Sequence, residues 1–306
     1  MTQAFVLGAG IGERLRPLTE QLPKPLIPVF HRPLITYAFD HLHAAGVRRL
    51  VVNTHHLAQA YDAAFPEKMY REMPVAFRHE SPVRLETAGG IANVRDLLQE
   101  KPFLVYNGDI LTDLPLEPLI REHEESGNIV TLALRSRGPA LHIAYDEAGR
   151  RVTDIRNKLE TGNEGTHLFT GIYACSPAIH EWITPGKVES VIPIFLNMIR
   201  AGVKVGAVVL DEGQWWDLGS RTQYLAAHAA LNGMHGPAVH PEAQVSPEAV
   251  LRRVNVIGPG AVVEAGAQLE ECILWPGARV VTGARLSRCI VRGGITAAGT
   301  FEDVDF

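Results

Sequence analysis

The stretches IGPGAVVEAGAQLEECI (257–273) and LWPGARVVTGARLSRCI (274–290) are one 17-residue unit written twice. Pro259 and Pro276, Gly260 and Gly277, Val263 and Val280, Gly266 and Gly283, Leu269 and Leu286, and Cys272 and Cys289 occupy matching places. A looser copy, VHPEAQVSPEAVLRRVNV (239–256), precedes them. Apolar anchors run through all three, from Val239, Val245, Leu251 and Ile257 to Val291, mostly six residues apart. That period, taken three times to a coil, builds a parallel β-helix with three short faces, because each coil buries its anchors only by stacking on the next. Three coils of a short left-handed β-helix of hexapeptide repeats are expected over residues 236–306. Cys272 and Cys289 then stack roughly 4.8 Å apart in successive coils, as small buried hydrophobes rather than as a disulfide or metal pair.

Residues 1–233 have a different texture, and a domain boundary is expected between the two parts. RRLVVNTH (48–55), VAFRHE (75–80), FLVYNGD (103–109) and NIVTLAL (128–134) read as strands. PLITYAFDHLHAAG (33–46), GGIANVRDLLQ (89–99) and LEPLIREHEESG (116–127) read as helices, the first opened by Pro33 and closed by Gly46. Alternation of this kind predicts an α/β fold with a Rossmann-like, mostly parallel sheet covered on both faces. Ligands in such sheets sit at the carboxyl ends of the strands. That rule brings Gly8–Gly12 and Asn107-Gly108-Asp109 to one rim.

The loop GAGIGERLRPLTEQLPKPL (8–26) raises the question of what the rim holds. Gly8-Ala9-Gly10 opens like a dinucleotide fingerprint, but the third glycine falls early, at Gly12, and Glu13 stands in its place. Arg14, Arg16 and Lys24 follow among Pro17, Pro23, Pro25 and Pro28, predicting a stiff, extended, cationic segment. Such a loop suits a ligand more highly charged than a dinucleotide. The whole chain carries a net charge of −5, from 29 basic and 34 acidic residues, which argues against nucleic acid as a partner. An anionic substrate must be met by these local cations. Three cysteines without a pairing framework, no leader-like start and no long apolar run predict a cytoplasmic protein with no membrane partner.

LGAGIGERLRPLTEQLPKPLIPV resembles the signature of the sugar-1-phosphate nucleotidyltransferases, a G-x-G-x-[TSE]-R-[LM] loop followed by P-K-P-[LM]. NGDIL, FTGIYACSP and WWDLGS match further motifs of that family in the right order, and a β-helix tail is a common appendage there. Leu85–Ile91 (LETAGGI) points toward its mannose-1-phosphate guanylyltransferase-like and N-acetylmuramate-1-phosphate uridylyltransferase-like members. The resemblance implies a nucleoside triphosphate and a sugar 1-phosphate as partners and Mg²⁺ as cofactor. Gly8, Ala9, Gly10, Gly12 and Glu13 then form the phosphate loop. Arg14 holds the departing pyrophosphate, and Lys24 bridges the α-phosphate and the sugar phosphate. Asp109, ending a strand at the rim, and Asp217 in WWDLGS are the metal ligands, while Asp113 is a loop or cap residue.

Asn107 and Gly108 line the nucleotide side, together with Thr87, Ala88 and Gly89. Glu80, at the end of VAFRHE, is expected to read the base, because an ionised carboxylate only accepts and so favours guanine or uracil over adenine and cytosine. Lys158, Thr170 and Gly171 face the sugar phosphate, although Asn157-Lys158-Leu159 stands where many relatives have E-K-P. The expected reaction is in-line attack of the sugar phosphate on the α-phosphorus, with GTP and mannose 1-phosphate or with UTP and N-acetylmuramate or glucose 1-phosphate. Two other classes compete. A hexapeptide acyltransferase needs more coils and a catalytic histidine. A non-catalytic regulatory subunit would tolerate loss of Arg14, Lys24, Asp109 or Asp217, yet all four are present. The parallel edges of the tail also offer a homo-oligomer contact.

Overall fold

The structure is a computed structural model that describes all 306 residues. Its chain forms two compact units that alternate along the sequence, Met1–Gly10 with Ile35–Trp215, and Ile11–Leu34 with Trp216–Phe306. The cationic segment after the glycine loop thus clusters with the C-terminal residues and not with the sheet.

In the first unit ten strands form one sheet. They are β1 (Gln3–Leu7), β2 (Arg49–Thr54), β3 (Met69–Tyr70), β4 (Met73–His79), β5 (Phe103–Asn107), β6 (Val130–Arg135), β7 (Ile143–Asp146), β8 (Arg151–Ile155), β9 (Leu168–Cys175) and β10 (Val205–Val209). The order is β7-β8-β10-β6-β9-β5-β1-β2-β4-β3. β5, β1, β2 and β4 run parallel, as do β6 and β10. β9 is antiparallel to both its neighbours. Ala4, Phe5, Val6, Val51, Leu104 and Val105 are wholly buried, so the central strands read as apolar runs, which a sheet covered on both faces requires. The helices are α1 (Ile35–Ala44), α2 (Gln59–Ala64), α3 (Glu86–Asn93), α4 (Glu117–Ser126) and α5 (Val191–Arg200).

Two helices differ in their limits from the sequence reading, and α3 also ends at Asn93 where that reading ran to Gln99. α1 begins after Pro33, which ends a small hairpin, Pro28–Val29 with Arg32–Pro33, instead of opening the helix. α3 begins three residues early and keeps Gly89 and Gly90 in its interior. The glycines are there for space. A Cβ at Gly89 would collide with the Lys187 carbonyl, and one at Gly90 would meet Asn53 Nδ2 at 3.0 Å and Glu80 Oε1 at 3.2 Å.

The second unit contains the left-handed β-helix. Two faces have four strands each and the third has three. Its core is Ile257, Val263, Leu269, Cys272, Leu274, Val280, Leu286, Cys289 and Val291, all but closed to solvent. A further coil, missed in the sequence, is formed by 291–306. There Thr296–Ala297 stack on Arg279–Val280, and Thr300–Glu302 on Arg285–Ser287. The register drops from 17 residues to 15 between those two pairs, and this broken period hid the coil. The segment 11–34 is not extended. It forms three 3₁₀ turns, Glu13–Leu15, Leu18–Glu20 and Lys24–Leu26, with Pro17, Pro23 and Pro25 at their starts, and Pro28 and Pro33 lie in the hairpin. The helix α6 (Arg221–Ala230) lies between WWDLGS and the coils in the chain.

His228 on α6 is 2% exposed, accepts from Phe30 N through Nε2 at 3.3 Å and faces the Tyr224 carbonyl with Nδ1 at 2.8 Å. Burial lowers its pKa to about 4, with the charge of His31 acting in the same direction and the Tyr224 carbonyl against both. The folded ring is therefore neutral, whereas in an unfolded chain it protonates near 6.5. A folded value below the unfolded one gives stability that is complete above pH 6.5 and lost as pH falls toward 4. The loss on this residue should reach about 3 kcal/mol. Denaturant unfolding at pH 7, 5.5 and 4 checks this: in His228→Phe the acid-induced loss should shrink by about that amount, and an unchanged loss would clear His228 of the effect.

Candidate active site

At the carboxyl ends of β1, β2 and β5, register places Leu7 between Asn53 and Asn107. Gly8 follows, and its N–H donates to Asn53 Oδ1 at 2.8 Å, while Tyr61 donates its hydroxyl to the Gly8 carbonyl at 2.8 Å. Asn53 Nδ2 donates in turn to Glu80 Oε1 at 2.7 Å, and Glu80 Oε2 accepts from Leu85 N at 2.7 Å. Glu80 is 1% exposed. This buried carboxyl group is the support from which Asn53 and the first glycine hang. It has no open edge for a base, which corrects the role expected for it. Gly108 N donates to the Leu7 carbonyl at 3.0 Å, hooking Asn107-Gly108-Asp109 to the same rim. Burial, and then the charge of Asp109, push the Tyr61 phenol well above its ordinary range, so it remains a donor to the loop.

Thr87, Ala88 and Gly89 are engaged elsewhere than the sequence suggested. Thr87 Oγ1 accepts from Val191 N at 2.8 Å and so tethers the start of α5. The N–H groups of Ala88 and Gly89 both donate to the Glu189 carbonyl, at 2.9 and 3.2 Å. Hydrogen-bonding groups expected to meet a nucleotide are thereby spent on packing α3 against α5.

On the sugar side, FTGIY forms a bulge in β9, where the register shifts between Phe169 and Tyr173. Gly171 takes φ 83°, and a Cβ there would lie 2.5 Å from Asn107 Nδ2, so only glycine fits beside that side chain. Thr170 is wholly buried, donates its hydroxyl to the Ala133 carbonyl at 2.8 Å and accepts at its own carbonyl from Trp215 Nε1 at 2.9 Å. Its side chain therefore shapes the bulge that sets Gly171 against Asn107. Lys158 is exposed on the turn after β8. That turn is built by Asp154, which the sequence reading passed over. The buried Asp154 carboxylate accepts from Ile155 N (2.6 Å), Leu159 N (3.0 Å) and Thr161 Oγ1 (2.9 Å). Burial alone would raise its pKa, but these donors outweigh it and hold the group below the usual carboxylate range. An Asp followed at five and seven places by donors is the sequence signal of this device.

In the second unit, Gly12 is in the left-handed region at φ 71° and ψ 36° and opens the turn Glu13–Leu15. Its Cα is packed so closely that a Cβ would meet Thr19 Cγ2 at 2.8 Å and Lys24 Cβ at 2.9 Å. Thr19 Oγ1 donates to the Gly12 carbonyl at 2.9 Å. Lys24, 5% exposed, reaches Asp217 Oδ1 with Nζ at 3.3 Å. A Cβ on Gly219 would lie 2.6 Å from Arg14 Nη2 and 3.0 Å from Asp217 Oδ1. Arg14, Lys24 and Asp217 thus converge around Gly219, two cations about one carboxylate. Glu13 is exposed beside them. Asp113 behaves as a loop residue, accepting from Gln214 N at 2.5 Å.

The Glu80 support makes a specific demand. Glu80→Gln replaces an acceptor with an NH₂ that must face either Asn53 Nδ2 or Leu85 N–H. Loss of a buried hydrogen bond of this kind should cost about 1–3 kcal/mol of unfolding free energy. Equilibrium unfolding of the variant measures it, and a change within error of zero would show that the network carries no load.

The nucleotidyl transferase family profile matches residues 3–233. Over 289 residues the chain is 30% identical to mannose-1-phosphate guanylyltransferase of Mycobacterium tuberculosis, covering 89% of this chain and 79% of that protein. It is 31% identical over 228 residues to N-acetylmuramate alpha-1-phosphate uridylyltransferase of Neisseria meningitidis serogroup B, covering 74% of this chain and 97% of the other. A UTP–glucose-1-phosphate uridylyltransferase of Synechocystis sp. is 28% identical over 74% of this chain, which spans only 62% of that longer protein. In fold, the solved UDP-glucose pyrophosphorylase from Acinetobacter baumanii is similar at a TM-score of 0.63 and 18% identity, over 77% of this chain and 95% of that one. With the glycine loop, the cation cluster and the rim in place, the chain belongs to the nucleotidyl transferase family, among the sugar-1-phosphate nucleotidyltransferases.

Proposed function

We propose that this protein joins GTP to mannose 1-phosphate, forming the nucleotide sugar and releasing pyrophosphate. The observation that carries the substrate pair is the extent of likeness. The match to the guanylyltransferase runs over 289 residues and so takes in the coils, whereas the match to the N-acetylmuramate uridylyltransferase spans 228. A UTP-dependent reaction with N-acetylmuramate or glucose 1-phosphate is the second reading, favoured by the latter protein and by the Synechocystis relative. On the proposed reading, residues 1–233 carry the chemistry and 236–306 form the appended coil domain.

The chemistry needs no protein nucleophile. An oxygen of the sugar phosphate attacks the α-phosphorus in line as the bond to the β-phosphate breaks, and catalysis reduces to positioning and charge neutralisation. Ala9, Gly10 and Gly12 supply backbone donors to the triphosphate. Arg14 stabilises the departing pyrophosphate, and Lys24 holds the α-phosphate and the sugar phosphate together. Lys158 and the backbone at Gly171 receive the sugar phosphate, and Asn107 and Gly108 border the nucleotide.

Enzymes of this family generally use a divalent metal ion. We assign it as Mg²⁺, with Asp109 and Asp217 as ligands. The donor chemistry would suit a hard cation, since both groups offer carboxylate oxygens and the Asp217 side chain is 34% exposed. When bound, the ion neutralises phosphate charge.

Pyrophosphate release measured with GTP, UTP, ATP and CTP against mannose, glucose, N-acetylmuramate and heptose 1-phosphates tests the reading. GTP with mannose 1-phosphate should give the highest kcat/KM, and preference for UTP would select the second reading. Asp109→Asn and Asp217→Asn should each lower kcat by about 10²–10³-fold, and full activity in EDTA would overturn the metal assignment.

A further inference from the structure

Three matching corners of the β-helix read Ile257-Gly258-Pro259-Gly260, Leu274-Trp275-Pro276-Gly277 and Val291-Arg292-Gly293-Gly294. The first place stays aliphatic, the third is Pro or Gly and the fourth is Gly, whereas the second goes from Gly to Trp to Arg. Successive coils bond directly at this column, through Gly258 N to the Leu274 carbonyl at 2.8 Å and Trp275 N to the Val291 carbonyl at 2.9 Å. Coil stacking gives no reason for a tryptophan and an arginine here, yet neither is a surface residue. Trp275 is 3% exposed, and the Arg292 side chain is 14% exposed.

Arg292 ends on the segment 11–34 directly, and Trp275 reaches it through Tyr224 of α6. Arg292 Nη1 donates to the Pro17 carbonyl at 3.0 Å and lies 3.6 Å from Glu20 Oε2, while its Nε donates to the Phe306 carbonyl at 2.7 Å. Pro17 and Glu20 bracket the turn that holds Thr19, and Thr19 in turn is bonded to Gly12 and packed on the same glycine as Lys24. Trp275 Nε1 donates to the Tyr224 hydroxyl at 3.1 Å, and that hydroxyl donates to the Pro28 carbonyl. The segment carrying Arg14 and Lys24 is therefore gripped on either side of Lys24 by one column of the β-helix.

We propose that the β-helix is part of the catalytic apparatus, with Arg292 as a positioning residue that sets the cationic segment through Pro17 and Trp275 as a second brace through Tyr224. Its effect on catalysis rests on the function proposed above, whereas the mechanical coupling does not. The tail is then more than an assembly or solubility appendage. A phosphate-binding segment built of three 3₁₀ turns has little regular hydrogen bonding of its own, and a misplacement of about 1 Å costs up to about 10²-fold in rate.

The test uses the full chain with Arg292→Ala, Arg292→Lys and Trp275→Phe, and with Arg279→Ala as control, since the exposed Arg279 pairs with Glu264 on the same β-helix. Two readouts are taken, amide hydrogen exchange over residues 12–26 and steady-state kinetics of pyrophosphate release. In Arg292→Ala, exchange across 12–26 should rise about 10- to 100-fold, as for loss of a charge-assisted hydrogen bond. Its kcat should fall about 10- to 100-fold at unchanged oligomeric mass. Arg292→Lys should recover part of both, Trp275→Phe should move them less, and Arg279→Ala should move neither. Unchanged exchange in Arg292→Ala overturns the coupling, and a loosened segment with unchanged kcat overturns its catalytic role. If no sugar phosphate supports turnover by the wild type, the proposed function fails, and the exchange result alone still decides the coupling.

Discussion

Glu80 lies 1% exposed at the end of β4, and a carboxyl group at such a depth is tolerated only when its oxygens are satisfied. Asn53 and Leu85 N satisfy them. Because Asn53 has its other end on Gly8 N, the same bonds fix where the glycine loop leaves the sheet. Tyr61 holds the carbonyl of the same glycine, and Gly108 bonds back to Leu7. The rim is thus pre-organised by groups that never need to touch a substrate, which is how a backbone site attains the positional accuracy that phosphoryl chemistry demands.

Electrostatics are distributed in the same economical way. A chain of net charge −5 cannot attract a triphosphate through its overall field. Arg14 and Lys24 instead gather on one carboxylate, Asp217. Lys24 is nearly buried, and Asp217 beside it offsets the cost of desolvating an ammonium group. Burial also strengthens the cation's field, since little water remains to screen it.

The repeats explain how such a segment is kept in place. A parallel β-helix repeats its backbone bonds from coil to coil, so its corners are rigid and a corner with room beside the next coil can carry a large side chain. Gly258, Trp275 and Arg292 show that freedom used. Where the column is glycine the next coil comes close, with Pro276 N only 2.8 Å from a Cβ placed on Gly258. Where it is tryptophan the side chain reaches Tyr224 of α6, and where it is arginine it reaches Pro17 and Glu20.

Much of this was legible in the residues alone. Hexad spacing dictated the coils, since only stacking buries anchors with that period, and apolar runs at Ala4–Leu7, Leu50–Val52 and Phe103–Tyr106 dictated a covered, mostly parallel sheet. Glycine and cation spacing in Gly8–Lys24 pointed to a polyphosphate. Tertiary structure alone decided what Glu80, Thr87 and Thr170 do, because a polar residue at a strand end reads the same in sequence whether it faces a ligand or a buried N–H. The final coil escaped notice because two deleted residues broke its period while its backbone ladder survived. The pairing of Arg292 with Pro17 joins positions 275 residues apart in sequence. Local pattern reports periodicity and charge, whereas which buried donor meets which acceptor is settled only when distant segments are packed to exclude water.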